Sequence, residues 1–314
     1  MICPPPSIYD SLMNLPTLEE WLSTVSSTPN DKAPGSSMIT YEMLKHLGPQ
    51  NLLSNFFIIA FPILASHDIL KGGNFAGLLG SSCRDPIITL ESIIHDANIN
   101  KKSLWILSQD ISKAFNSVNL TMLRFTFERI RLPASAIKFI LSLFMKCTNS
   151  VFTAHGFTPA YRVRIGIDQG EIISPLLWVI YIDPLLTILK NEMIDSYVLF
   201  TSSLIASHVS FPNLRINNLV FMDDSTLIFS SKAGMESMLS ITEEFYQINN
   251  TSANHNKYVL ITNSLPLTSN STPSPVTFNL ELSSLNRVPS ISIIPISMTT
   301  SFCFLGVWFN IKSF

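Results

Sequence analysis

Two adjacent aspartates, Asp223 and Asp224, break an apolar stretch that reads as strand on either side, "NNLVFMDDSTLIF" at 217–229. The pattern predicts a hairpin that bends at the acids. Aspartate is an ordinary turn residue, since its short side chain bonds nearby backbone and tolerates unusual dihedrals. Asp-Asp is nonetheless a poor tight turn, a role that favours Asn-Gly or Asp-Gly. Neighbouring carboxylates also repel unless a cation or a proton settles between them. Taken alone the pair is a plain turn; joined by another acid it is part of a metal site.

Such an acid stands in "SLWILSQD" (103–110), a buried-strand pattern ending in Asp110. If that strand pairs beside the hairpin, Asp110 meets Asp223 and Asp224 across the sheet. Three carboxylates at one point call for divalent cations, and Mg²⁺ suits them because it takes oxygen ligands and substrate phosphates. Taken alone, Asp110 reads equally as the cap of a helix starting at "ISKAF".

The 314 residues suffice for one large domain or two ordinary ones, and 46% hydrophobic content supplies a core. Charged residues make up 13%, about half the usual share, and 20 basic against 22 acidic residues leave a net charge of −2. A general basic coat for nucleic acid is therefore absent, although a local groove can still be basic. Cysteines 3, 83, 147 and 303 form no C-x-x-C, which fits reduced thiols in an intracellular protein better than disulfides or zinc. "MICPPPSIYD" lacks the basic start and apolar run of a secretion signal, so the chain is expected inside the cell, in nucleus or cytoplasm. The apolar runs 52–65 and 172–186 are interrupted by Ser, Asn and Pro or by Asp183, so no membrane span is expected. Oligomeric state is not legible.

Periodicity predicts helices over 85–100, 117–133, 135–147 and 234–249, with Pro133 dividing the second from the third. A further helix over 174–190 has Ser174 as its cap and Pro175 at its first position. Residues 151–170 alternate as a ribbon, "KYVLITN" and 302–310 read as strands, and 264–275 is Ser/Thr/Pro-rich and reads as disordered. Helices alternating with strands that end in acids give an α+β core.

The order of "QDISKAFNSVN", "GIDQGEIISPLLW", "FMDDSTLIF", "NHNKY" and "FCFLGVWF" resembles the palm of reverse transcriptases, nearest to those of non-LTR retrotransposons. "DKAPGSSMITYEMLK" is similar to the opening of the same polymerases. The resemblance implies a right-hand palm, an antiparallel sheet with packed helices, carrying a truncated fingers region. Composition makes 1–30 a loose segment and 263–300 a Ser/Thr/Pro-rich insertion or linker. The resemblance implies reverse-transcriptase-like fingers and palm at 31–262 and a primer-grip-like strand at 301–314. It assigns Asp110, Asp223 and Asp224 to metal binding and catalysis with Mg²⁺ or Mn²⁺. Phe115 then stands as the steric gate against a ribose 2′ hydroxyl, Gln169 and Gly170 line the nucleotide pocket, and Lys257 lies behind the triphosphate. Phe304, Leu305 and Gly306 match the primer-grip turn. The implied activity is RNA-directed DNA synthesis, with an RNA template, a DNA primer and deoxynucleoside triphosphates as partners.

Departures from the family pattern accompany the resemblance. Ser36-Ser37 replaces an Asp-Gly, and Asn116 stands where many relatives carry a second Asp. Gly48 to Lys71 is too short for the basic fingers segment that grips the triphosphate, and "NLLSNFFIIAFPILASHD" holds neither Lys nor Arg. Arg84 and Lys71 are the nearby substitutes. RNase H and endonuclease modules are expected elsewhere. The alternative to a polymerase is a catalytically silent retrotransposon remnant that binds nucleic acid or protein. An RNA-dependent RNA polymerase would instead carry an acid at the position of Phe115.

Overall fold

Helical spacing of Leu90, Ile93, Ile94 and Ala97 makes one face of residues 84–99 apolar, and that face is buried. The computed structural model describes residues 5–10, 12, 17, 19, 26, 63, 64, 66–76, 82–145, 147–169, 171, 173–192, 194–199, 213–265, 274–283, 289–297 and 300–310. The sequence expectations for 31–62, for Gly170 and for most of 1–30 and 264–275 lie outside the described residues.

In chain order the elements begin with α1 (Arg84–Ile99), β1 (Trp105–Gln109), α2 (Leu120–Arg129) and α3 (Ala134–Phe144). Short strands β2 (Thr148–Asn149), β3 (Phe152–Thr153), β4 (Gly156–Phe157) and β5 (Tyr161–Arg162) lead to α4 (Ser174–Asn191). Next come β6 (Tyr197–Leu199), β7 (Leu214–Ile216), β8 (Asn218–Phe221), β9 (Asp224–Phe229), α5 (Lys232–Asn249) and β10 (Val259–Thr262). The series closes with β11 (Val276–Asn279), β12 (Ser290–Ile293), β13 (Phe302–Phe304) and β14 (Val307–Phe309). Mixed helices and antiparallel sheets bear out the α+β expectation.

The chain divides into two compact units. One draws on Met1–Lys71, Gly77–Gly80 and Lys113–Asp183, the other on Gly72–Ala76, Ser81–Ser112 and Pro184–Phe314.

In the second unit β1 lies between β10 and β9, and β9 pairs with β8, all antiparallel. Ile106, Ile228 and Ile261 sit opposite one another in the ladders and join the α1 face in one core with Leu219, Tyr197 and Phe304. The helix α5 starts at Ser231, whose side chain accepts from the Gly234 amide, and ends at left-handed Asn250. Within 263–300, read from sequence as insertion or linker, β11 and β12 form a hairpin. Its Phe278 is fully buried and meets Trp105 edge-on at 6.3 Å.

In the first unit Asn119 caps α2 by accepting from the Thr121 and Met122 amides. Pro133 leads into α3, where the sequence divides the two helices. The capping role expected of Ser174 is corrected. Ser174 is already helical, and its hydroxyl donates to the Asp168 carbonyl at 2.7 Å. Asp183 is buried and pairs with the Arg129 guanidinium.

Polarity also enters the core of the second unit. Asp96, on α1, accepts from Lys102 Nζ at 2.6 Å, Tyr197 Oη at 2.6 Å and Asn100 Nδ2 at 2.7 Å. Burial pushes its carboxyl upward, but the bonds from Lys102, Tyr197 and Asn100 outweigh burial and hold it below the ordinary 3.8. Its contribution to stability is therefore present above the unfolded value and lost as pH falls through the lower folded one. Tyr197→Phe should cost about 1.5–3 kcal/mol in urea unfolding, the range for hydrogen bonds to charged groups. Asp96→Asn should flatten the acid limb of stability below about pH 4 in the same assay.

Candidate active site

The acidic hairpin closes at Phe221 and Asp224, leaving Met222 and Asp223 as its two-residue turn. Met222 takes φ +58, a left-handed conformation that L residues adopt only at a cost. Asn74, 148 residues earlier, holds it there. Its Nδ2 donates to the Met222 carbonyl at 3.1 Å, and its Oδ1 accepts from the Met222 amide at 3.0 Å. The same Oδ1 accepts from the Ala76 amide at 3.0 Å, and the Phe75 amide donates to the Val220 carbonyl at 2.8 Å. One carboxamide thus fixes the residue immediately before Asp223.

Asp110 leaves β1 one step after the Gln109–Ser225 pair, so the register sets it opposite Asp224. The residues after it form no α-helix but a turn and a short 3-10 segment at Phe115–Ser117, so Asp110 caps none. Its carbonyl accepts from the Asn254 amide at 2.9 Å, and Ile111 bridges Ala253. These bonds bring 252–257 alongside. Lys257 Nζ lies 3.3 Å from Asp110 Oδ2 and 3.4 Å from Oδ1.

Behind the acids sits a buried polar layer. Gln109 Nε2 donates to Tyr258 Oη at 3.1 Å, and Ser225 Oγ donates to Gln109 Oε1 at 3.4 Å. Burial, above all, raises the Tyr258 phenol far beyond its ordinary range. His255 Nε2 meets Glu243 Oε1 at 2.7 Å and the His255 ring stands edge-on to Tyr258 at 5.1 Å.

The electrostatics follow from this placement. Asp224 reaches solvent, yet partial burial raises its carboxyl, and the charges of Asp223 and then Asp110 raise it further. Its two acidic neighbours thus make ionisation of Asp224 costlier, a repulsion that a cation relieves. Among the described residues no group of three or more His, Cys, Asp or Glu side chains forms a ready-made metal cage. The donor chemistry still fits a divalent ion. Hard carboxylates stand near enough for the charges of Asp223 and Asp110 to act on Asp224, and Asp110 pairs with the exposed Lys257.

The other sequence-predicted residues are placed as follows. In the first unit, Phe115 is half-buried, its ring 5.6 Å from that of Trp178. The Phe115 carbonyl accepts from the Ile167 amide at 2.9 Å, which joins its segment to the loop carrying exposed Gln169. Gly166 permits that approach: a Cβ there would sit 2.6 Å from the Asn116 carbonyl oxygen. In the second unit, Arg84 is exposed at the first residue of α1. The expected strand at 302–310 is instead a hairpin, β13–β14, because Leu305 and Gly306 both take positive φ and form a tight turn. Phe304 is buried there, while Trp308 is exposed.

Asn74, Gln109, Ser225 and Tyr258 carry the site's geometry and are not singled out by the sequence. Asn74 sits in a glycine-rich loop, where an Asn signals only a turn.

Comparison with known proteins adds a family. The profile described as "Reverse transcriptase (RNA-dependent DNA polymerase)" matches residues 73–309. The chain is 24% identical over 191 residues to the retrovirus-related Pol polyprotein of type-1 retrotransposable element R2 of Nasonia vitripennis, covering 61% of this chain and 17% of that protein. It is 24% identical over 171 residues to the corresponding protein of Popillia japonica, covering 54% and 26%. The chain thus spans about a quarter or less of these relatives. Among solved structures it resembles a telomerase from Candida albicans in complex with a TWJ fragment of telomeric RNA, at TM-score 0.47 and 13% identity, covering 83% and 47% of the two chains.

The clamp and the histidine pair each lead to a measurement. Asn74→Ala should leave the fold intact, cost about 1–3 kcal/mol in unfolding, and speed amide hydrogen exchange at Met222 and Ala76 selectively. The Glu243 hydrogen bond raises His255 above 6.5, against burial, which lowers it. The stabilisation is therefore complete below about pH 6.5 and fades as pH rises through the higher folded value. NMR titration should place His255 above 6.5, and Glu243→Gln should return it downward.

Proposed function

Because the chain belongs to the reverse transcriptase (RNA-dependent DNA polymerase) family, we propose that it extends a DNA primer on an RNA template, as the polymerase of a non-LTR retrotransposon. The observation that supports this is the register that sets Asp110 opposite Asp224, with Asp223 in the adjoining turn, at one end of the β1–β9 ladder. Family membership brings a general dependence on divalent metal; Mg²⁺ or Mn²⁺ is the proposed ion, and Asp110, Asp223 and Asp224 would hold it. When bound, such an ion makes the primer 3′ hydroxyl a better nucleophile and offsets charge on the transferring phosphoryl group and the departing pyrophosphate.

The chain's own side chains do the remaining work. Asn74 keeps Asp223 oriented through Met222. Lys257, exposed and held to Asp110 by long contacts of 3.3 and 3.4 Å, can exchange that carboxylate for a triphosphate oxygen. The Phe115 ring excludes a ribose 2′ hydroxyl, and Gln169 with Gly170 lines the nucleotide. Arg84 is the proposed further triphosphate contact, while Phe304, Leu305 and Gly306 support the primer end.

The absence of Lys and Arg from "NLLSNFFIIAFPILASHD" weakens the triphosphate site in this reading. Each lost charged contact costs about 1.5–3 kcal/mol, so two imply roughly a hundredfold or more in nucleotide affinity. Primer extension on poly(rA)/oligo(dT) should therefore be weak with Mg²⁺ or Mn²⁺, rise at millimolar nucleotide, and vanish in Asp223→Asn. Extension that survives Asp223→Asn, or none at any nucleotide concentration, would remove the polymerase reading and leave the silent remnant.

A further inference from the structure

From Cys147 to Ile167 the chain has no acidic residue, yet it carries His155, Arg162 and Arg164 in a molecule of net charge −2. The segment folds as a ribbon. The ladder β2–β5 forms its base and β3–β4 its tip, and the Thr158 amide donates to the Val151 carbonyl at 2.9 Å between them. Register pairs Phe152 with Phe157 across the tip, their rings 5.1 Å apart and tilted by 56°. These rings are 74% and 75% exposed, and Tyr161 is 52% exposed. Such apolar surface on a short hairpin is unfavourable in water unless something covers it.

The base of the ribbon carries charge. Arg162 and Arg164, two residues apart, line one cavity of about 310 Å³ with Leu120, Phe144, Met145 and Val163. Among the described residues neither guanidinium has a carboxylate partner. Two like charges facing one cavity without a counter-ion suit a polyanion, and planar guanidiniums suit phosphate. Open aromatic faces suit unpaired bases, since bases in a duplex are already stacked.

We propose that the 147–166 ribbon is a docking surface for a single-stranded polynucleotide, with Arg162 and Arg164 on its phosphates and Phe152 and Phe157 stacking a base. The assignment of partner rests on the polymerase reading, and the test separates the two.

Fluorescence anisotropy of labelled oligo(rU) and oligo(dT), about 16 nucleotides long, is measured on the full chain in EDTA, across a salt series. The wild-type chain should bind. Arg162→Gln/Arg164→Gln should lose about tenfold in affinity, and the slope of log K against log salt should fall by about 1.4, or about 0.7 per phosphate. Arg162→Lys/Arg164→Lys should keep the slope, and Phe152→Ser/Phe157→Ser should lose about tenfold with the slope unchanged. Preference for oligo(rU) assigns the surface to an RNA strand, and preference for oligo(dT) to a DNA strand. Circular dichroism checks that each variant folds.

A wild-type chain that binds neither oligonucleotide overturns the proposal. So do variants that bind like wild type, including the case in which the Phe double variant only dissolves self-association in sedimentation. Primer extension, read separately with metal, distinguishes the failures. Extension with normally binding variants retains the polymerase and discards the docking surface. Loss of affinity in the variants without any extension does the reverse.

Discussion

A slip of one residue between β1 and β9 would turn Asp110 to the opposite face of the sheet from its present neighbours, because facing alternates at every step. Two features hold the register. Ile106 and Ile228 lie opposite each other in the core shared with α1, so a slip would expose one or the other. At the end of the ladder, buried Gln109 bonds both Ser225 and Tyr258, so a slip would leave a carboxamide buried and unsatisfied. Apolar matching thus selects the face, and a polar layer one residue behind the acids selects the step.

On this frame the acids are held in an arrangement they would not choose. Asp224 is harder to ionise than an isolated carboxyl because of burial, Asp223 and Asp110. Lys257 answers part of that charge through Asp110. A fixed cluster of this kind is worth little to the stability of the fold and is poorly balanced without a ligand. That imbalance is the physical ground for the cation proposed to bind there.

Legibility in the sequence tracks how local each determinant is. The helix at 84–99, the strand ending at Asp110 and the acidic hairpin follow from periodicity and bounded runs, and they are where the sequence puts them. The β11–β12 hairpin is missed because "VTFN" and "SISI" alternate inside a Ser/Thr-rich stretch that reads as low complexity. Read as a strand pattern, 302–310 hides the β13–β14 turn, because leucine is not a residue that announces positive φ. Ser174 stands at the right place with different chemistry, since Asp168 offers a carbonyl that no local pattern reveals. Asp96 is not singled out by the sequence, because Tyr197 and Lys102 are brought to it only by the fold. The acids themselves are visible; the partners that orient them are distant in sequence.

The Asn74–Met222 clamp bears on the order in which the molecule can form. Closing a loop of that length is entropically costly and is repaid only when both ends already belong to a formed surface. Asn74 can reach Met222 only after β8 and β9 have paired, and synthesis delivers those strands long after the loop that must return to them. The acidic turn therefore takes its final shape late. A nascent or partly folded chain carries the aspartates but not their geometry, so the proposed divalent-ion site is absent until its sheet is complete.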